Sequence, residues 1–96
     1  MREKLIEQKL VKAVKSVGGL AVKFISPSYG GMPDRLVLLP EGKMAFVEVK
    51  GHGMKPRPLQ IKRHGMLRQL GFKVYVLNDE NEIQRIVSEV MVGGDG

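Results

Sequence analysis

The 96-residue sequence contains no cysteine and no tryptophan, and aromatic residues make up only 5% of it. The absence of cysteine excludes disulfides, thiolate zinc sites and a cysteine nucleophile. Because aromatic side chains are scarce, aliphatic residues must fill the core. No apolar run is long enough to cross a bilayer, and the N-terminal segment lacks the apolar stretch of a signal peptide. The sequence therefore predicts a cytoplasmic protein with no membrane partner.

The charge balance is strongly basic. Sixteen Lys and Arg residues stand against ten Asp and Glu residues, which gives a formal net charge of +6. Excess cations on a small chain favour a polyanionic partner, above all nucleic acid, although a merely soluble cationic surface is an open alternative. The length suits one compact domain, which we place at residues 1–92, followed by a flexible tail at residues 93–96.

Hydrophobic periodicity and turn residues predict the order helix, three strands, helix, strand, helix. The predicted helices are Arg2–Val17, Leu59–Leu70 and Glu80–Met91, and the predicted strands are Leu20–Ile25, Asp34–Leu39, Lys43–Lys50 and Lys73–Leu77.

The connections predict how the strands pair. The short turn Pro40–Gly42 makes the second and third strands antiparallel neighbours. The third strand is apolar on both faces, which is typical of a central strand. The second helix can form a crossover to a parallel fourth strand. These inferences give an α/β fold with a mixed four-stranded sheet flanked by helices.

The register of this hairpin brings charged residues together. If the turn is centred near Glu41, the numbers of paired residues add up to about 82, which places Asp34 opposite Glu48. Lys50 lies two residues further along and points to the same face. Two carboxylates at roughly 5 Å repel each other, so the pair makes physical sense when a cation lies between them.

Carboxylate oxygens and water suit Mg²⁺ or Mn²⁺, and the main-chain carbonyl of Val49 is a further candidate ligand. In a basic protein this arrangement indicates metal-assisted attack on a phosphodiester. Lys50 would then position or deprotonate the attacking water, or stabilise the developing charge. Pro-Asp and Glu-x-Lys are each common at solvated strand ends, and it is their combination that favours a site.

Pro33-Asp34 and Glu48-Val49-Lys50 resemble the signature of the PD-(D/E)xK nuclease superfamily. Within it, the chain resembles a stand-alone VRR-NUC domain of the viral or prophage type, and the resemblance covers nearly the whole chain. The segments that carry it are "IEQKLVKAVKSVGG", "GGMPDRLVLLP", "AFVEVKG", "PRPLQ" and "LGFKVYVL". It implies a restriction-endonuclease-like αβββαβ core and Mg²⁺- or Mn²⁺-dependent cleavage of DNA.

The resemblance also implies roles for individual residues. Asp34 and Glu48 would hold the metal, and Lys50 would be the catalytic lysine. Glu7 in the first helix would be a further metal-binding and catalytic acid, and Gln60 would line the site. Without the resemblance, Glu7 and Gln60 would be interpreted as ordinary surface residues of their helices.

The loops beside the candidate site contain possible DNA contacts. Tyr29 and Gly31 precede Asp34 in a flexible loop that would admit the DNA backbone, although a loop that only needs positive φ is the alternative. Lys55 and Arg57 follow Lys50 and would contact phosphates, although solvated loop residues are an equal alternative.

Three further residues have no assigned role in the site. Arg35 follows Asp34 and is assigned either a structural or a DNA-binding role. Either of His52 and His64 could contact metal or phosphate, but neither has a partner at metal-ligand spacing, and both are expected to be surface residues.

Stand-alone viral members of the family resemble Holliday-junction resolvases, which implies a homodimer acting on branched or four-way junction DNA. The apolar positions of the last helix are one candidate for its interface. Two alternatives stay open, a non-catalytic DNA-binding module and a nuclease subunit that a partner protein targets.

Overall fold

The computed structural model describes residues 1–93, and in that range three α-helices flank one four-stranded sheet. The last three residues of the predicted tail lie outside the described residues. The elements are α1 (Glu3–Ser16), β1 (Leu20–Lys23), β2 (Arg35–Leu39), β3 (Lys43–Val49), α2 (Pro58–Gln69), β4 (Val74–Leu77) and α3 (Ile83–Val92), with single 3₁₀ turns at Pro40–Gly42 and Glu80–Glu82.

The sheet has the order β1-β2-β3-β4, with β1, β2 and β3 antiparallel in turn and β4 parallel to β3. The predicted mixed sheet is confirmed, and β3 lies inside it. All four strands are shorter than predicted, and two of the differences concern the site, because Asp34 precedes β2 and Lys50 follows β3. Both residues thus lie at the end of the sheet where β2 begins and β3 ends.

The predicted hairpin register is correct. Pairs run from Arg35 with Val47 to Leu39 with Lys43, and the numbers of every pair add up to 82. The turn is tight because Glu41 and Gly42 both adopt left-handed backbone conformations, with φ of 68° and 75°. Extending the ladder by one position leads to Asp34 and Glu48.

One face of the sheet is covered by α1 and α3. Buried aliphatic side chains from both helices pack on β2 and β3. The apolar stripe of α3 is only 0–5% exposed, because it forms part of this core. The four side chains of this stripe are therefore not available to a dimer interface. The stripe consists of Ile83, Ile86, Val87 and Val90.

The other face is covered by α2 alone. Phe46, Leu67 and Val74 form its buried cluster. The ring of Phe46 also makes edge-to-face contacts with Phe24 and Phe72, at centroid distances of 5.8 and 5.7 Å. This second core holds α2 in place beside the end of β3, where the candidate site lies.

Candidate active site

Asp34 is fixed between two strands. Its carbonyl accepts a hydrogen bond from the N–H of Phe24, and its Oδ1 accepts one from the N–H of Val49 at 3.0 Å. The side chain therefore reaches across the hairpin to the end of β3. Burial raises the pKa of Asp34 to about 6, even though the bond from Val49 lowers it. The nearby charge of Glu48 raises it further.

Glu48 is 2% exposed inside β3 and points towards α2. Burial raises the pKa of its carboxyl group, and the neighbouring charge of Lys50 opposes that rise. The Lys50 Nζ lies 3.6 Å from Glu48 Oε2. Since a raised carboxyl pKa reports an environment hostile to negative charge, Asp34 and Glu48 together favour a cation beside them.

Gln60 connects the start of α2 to this carboxylate. Its Oε1 accepts a hydrogen bond from the N–H of Arg57 at 2.8 Å. Its Nε2 donates to Glu48 Oε2 at 3.2 Å. Both ends of the amide are engaged, so its orientation is fixed. Gln60 is buried beside Glu48, where the family resemblance places it, and is not an ordinary helix surface residue.

His64 was expected at the surface, and that expectation is wrong. The residue is 2% exposed and its Nε2 lies 3.4 Å from Glu48 Oε1. Burial lowers the pKa of His64, and the positive charges of Arg68 and Lys50 lower it further. The lowered pKa favours the neutral ring, whose contact with Glu48 is then a hydrogen bond rather than an ion pair.

The sequence contains a spacing that places His64 on the buried side of α2. Gln60, His64 and Leu67 are spaced four and three residues apart and form the buried side of α2. Two of these three side chains are polar, so a search for apolar periodicity does not detect that side.

Glu7 faces the sheet and has a different partner. Its Oε2 accepts a hydrogen bond from Arg35 Nε at 2.8 Å, and Arg35 Nη1 also donates to the carbonyl of Ala21. Arg35 thus has a structural role. Glu7, Glu3 and Asp34 line one cavity of about 300 Å³, and the two glutamates raise the pKa of Asp34. Metal binding by Glu7 stays a prediction.

The donors present suit a magnesium-like ion. No cluster of three or more His, Cys, Asp and Glu side chains placed to hold a metal occurs in residues 1–93. Asp34 and Glu48 would supply two hard oxygen ligands. Mg²⁺ commonly binds through one or two carboxylates and keeps several waters or phosphate oxygens, so this pair with the Val49 carbonyl fits that chemistry.

A comparison with known families identifies the chain. The model of the VRR-NUC domain matches residues 2–80. The chain belongs to the VRR-NUC domain family. A solved structure described as a VRR_NUC domain superposes on this VRR-NUC chain with a TM-score of 0.83 and 30% sequence identity, and the match covers 90% of this chain and 94% of the other.

A phage protein is similar over most of its length. It is named "Putative nuclease p44", from Acyrthosiphon pisum secondary endosymbiont phage 1. The two sequences are 49% identical over 81 residues, which is 84% of this chain and 87% of the relative. The family and this relative together assign the chain to the nucleases.

The loop before Asp34 docks on α2 of the VRR-NUC domain. The guanidinium of Arg63 lies 3.8 Å from the ring centre of Tyr29 and donates to the carbonyl of Gly30 at 2.8 Å. Gly31 has φ of 83°, and a Cβ there would lie 2.8 Å from Leu59. Tyr29 and Gly31 are thus held beside α2, next to the site but not among its carboxylates.

Lys55 and Arg57 are exposed in the loop between β3 and α2. Arg57 lies close enough to Glu48 to lower its pKa. It also lines a cavity of about 360 Å³ together with Gly31 and Gln60. Arg57 and Gly31 therefore lie beside Gln60, on the α2 side of the candidate site.

The positive charge of the VRR-NUC domain is concentrated in one segment of the chain. Residues 49–78 contain seven of the sixteen Lys and Arg residues and none of the ten Asp and Glu residues. The remainder of the chain has nine cations against ten acids, so the net positive charge comes entirely from the segment that contains α2. In the described part of the chain, no helix is both long and apolar enough to cross a membrane.

Proposed function

We propose that this VRR-NUC domain is an endonuclease that hydrolyses DNA phosphodiester bonds with Mg²⁺ or Mn²⁺. The observation that carries the proposal is the pair of inward-facing carboxylates, Asp34 and Glu48, whose pKa values are both raised and which Lys50 adjoins. Two acids would weaken a surface that only binds DNA, because their negative charges repel the phosphates.

Each residue of the candidate site has its own role in the proposed reaction. Asp34, Glu48 and the carbonyl of Val49 would hold the metal, which when bound lowers the pKa of water and neutralises charge on the phosphate. Water oxygen forms a bond to phosphorus, and a bridging P–O bond breaks. Lys50 orients or deprotonates that water or stabilises the developing charge, and Gln60 keeps Glu48 in position.

DNA would lie along α2 and the loop that precedes it. That segment has only positive formal charge, and Lys55, Arg57 and Lys62 are exposed on it. Cations that contact phosphates position the duplex without reading its sequence. Tyr29 and Gly31, held on the flank of α2, border the same path.

The finer part of the proposal is a homodimer that cuts four-way junctions. A two-fold dimer presents two sites to a symmetric junction. Because the stripe of α3 is buried, we place the interface on the uncovered outer face of β1 and β2. Leu20, Val22 and Leu38 are 38–60% exposed there, and Leu20 pairs directly with Leu38. The expected result of sedimentation at micromolar concentration is a dimer that Leu38→Lys converts to monomer.

A cleavage assay tests the proposal. A labelled four-way junction and a linear duplex of the same sequence are each incubated with Mg²⁺, with Mn²⁺ and with EDTA. The expected result is metal-dependent cutting of the junction. Equal cutting of both DNAs would refute junction specificity and leave the nuclease intact. Binding without cutting in either metal would favour the non-catalytic module, and activity only with an added protein would favour the targeted subunit.

A further inference from the structure

The deepest side chain at the site is His64, a residue for which the nuclease proposal has no use. Its only hydrogen-bond partner among the described side chains is Glu48, at 3.4 Å from Oε1. A buried imidazole costs free energy unless its polar atoms are satisfied, so this contact is a specific structural feature rather than incidental proximity. It lies on the side of Glu48 away from Lys50 and Gln60, which both contact Oε2.

Resting on the proposed metal-dependent function, we propose that His64 is a positioning residue that, with Gln60, holds the Glu48 carboxylate in its metal-binding orientation. The two side chains project from α2 one turn apart. Gln60 donates to Oε2 at 3.2 Å and His64 contacts Oε1 at 3.4 Å, so each oxygen has its own partner on one rigid helix.

The proposed contact requires one tautomer of the imidazole. An ionised Glu48 offers only acceptors, so the ring must carry a hydrogen on Nε2 in order to donate to Oε1. This donor occupies one lone pair of Oε1 and prevents rotation of the carboxylate. Partners behind a ligand of this kind set its orientation, and their loss commonly weakens metal binding by about 10–100-fold.

Three variants separate the hydrogen bond from simple packing. His64→Leu fills similar space without a donor. His64→Gln places an amide nitrogen near the position of Nε2 and restores the donor. Leu67→Val is the matched control, because Leu67 is buried on the same side of α2 but belongs to the apolar cluster with Phe46.

The readout is Mn²⁺ affinity, measured by calorimetry on the full chain without DNA. We expect His64→Leu to weaken binding by about 10–100-fold, His64→Gln to restore it to within a few-fold, and Leu67→Val to leave it unchanged. Wild-type affinity in His64→Leu would overturn the inference. Equal loss in His64→Leu and His64→Gln, with both folded by circular dichroism, would overturn it too.

A metal-free measurement distinguishes this inference from the nuclease proposal. Long-range ¹⁵N spectra of the imidazole in wild-type protein should show a hydrogen on Nε2. A ring whose only hydrogen is on Nδ1 would refute donation to Glu48. Wild-type protein that binds no Mn²⁺ but shows the Nε2 tautomer would refute the metal-dependent function. The hydrogen bond from His64 to Glu48 would then remain as a structural contact only.

Discussion

The main-chain N–H of Val49 donates a hydrogen bond of 3.0 Å to Oδ1 of Asp34, and this bond joins the two halves of the candidate active site. It fixes one oxygen of Asp34 at the end of β3, and the other oxygen has no hydrogen-bond partner among residues 1–93. Because Glu48 and Lys50 flank Val49 in the chain, one backbone amide brings the acid of the Pro-Asp motif beside the Glu-Val-Lys motif.

Metal-free protein should lose stability as Asp34 ionises. The pKa of Asp34 is about 6 in the folded protein against an ordinary 3.8, so folding favours its protonated form. This contribution to the free energy of unfolding is complete below about pH 4 and is lost as the pH rises through 6. Asp34→Asn is neutral throughout and keeps the oxygen that Val49 contacts.

Denaturant unfolding at pH 4 to 7 in chelator-treated buffer checks the sign. The free energy of unfolding of wild type minus that of Asp34→Asn should decrease as the pH rises. A difference that is constant, or that rises with pH, would show that burial does not raise the pKa of Asp34.

The Glu7–Arg35 pair should contribute measurably to stability. Their side chains are only 21% and 13% exposed, so removing one partner leaves a partly buried charge. We expect Glu7→Gln and Arg35→Met each to cost about 1–3 kcal/mol, with a coupling of about 1 kcal/mol in the double mutant. Lys9→Met, which breaks an exposed pair with Glu80, should cost less than about 1 kcal/mol.

The same variants test the metal-binding prediction for Glu7. Glu7→Gln should weaken Mn²⁺ binding, because it removes a negative charge that acts on Asp34. If Glu7→Gln and Arg35→Met lower stability equally and neither changes Mn²⁺ affinity, Glu7 is only the partner of Arg35.

Charge removal from the segment around α2 should weaken DNA binding selectively. Replacing Lys55 and Lys62 with Gln should reduce the slope of log K against log salt by about 2, since each lost phosphate contact is worth about 0.9. Replacing Lys12 and Lys15 on α1 removes the same charge as a matched control and should leave the slope unchanged. Fluorescence anisotropy with a labelled duplex in EDTA measures both. Equal losses would indicate that only total charge matters.

Gly65→Ala should stabilise the protein. Gly65 lies inside α2, and a Cβ there would have no atom within 4 Å. The expected gain is about 1 kcal/mol, or about 4–8 °C in Tm. Gly31→Ala is the opposite case, because Gly31 has φ of 83° and Leu59 lies 2.8 Å from the added Cβ. A thermal scan in which both substitutions shift Tm in the same direction would contradict this assignment.

The prediction of the site depended largely on the length of one turn. The length of the turn at Pro40–Gly42 determines the register of β2 and β3, and register determines which side chains share a face. That is why the placement of Asp34 near Glu48 and Lys50 could be predicted from spacing alone.

The environment of Glu48 could not be predicted in the same way. The inner side of α2 is formed largely by Gln60 and His64, which are buried because a carboxylate needs their donors. A pattern of apolar residues does not reveal polar side chains that are buried for this reason. The partner of Glu7 was also hidden, because the contact with Arg35 depends on how α1 packs on the sheet, which residue spacing does not specify.

The most direct test of the account is single-turnover cleavage of a four-way junction by Asp34→Asn, Glu48→Gln and Lys50→Ala in Mn²⁺. Lys43→Gln at the other end of β3 is the control. Each site variant should slow cleavage by about 10²–10³-fold or more, as expected when a group that stabilises the transition state is lost, while the control cuts at the wild-type rate. Wild-type cleavage by any of the three site variants, or wild-type activity in EDTA, would contradict the account.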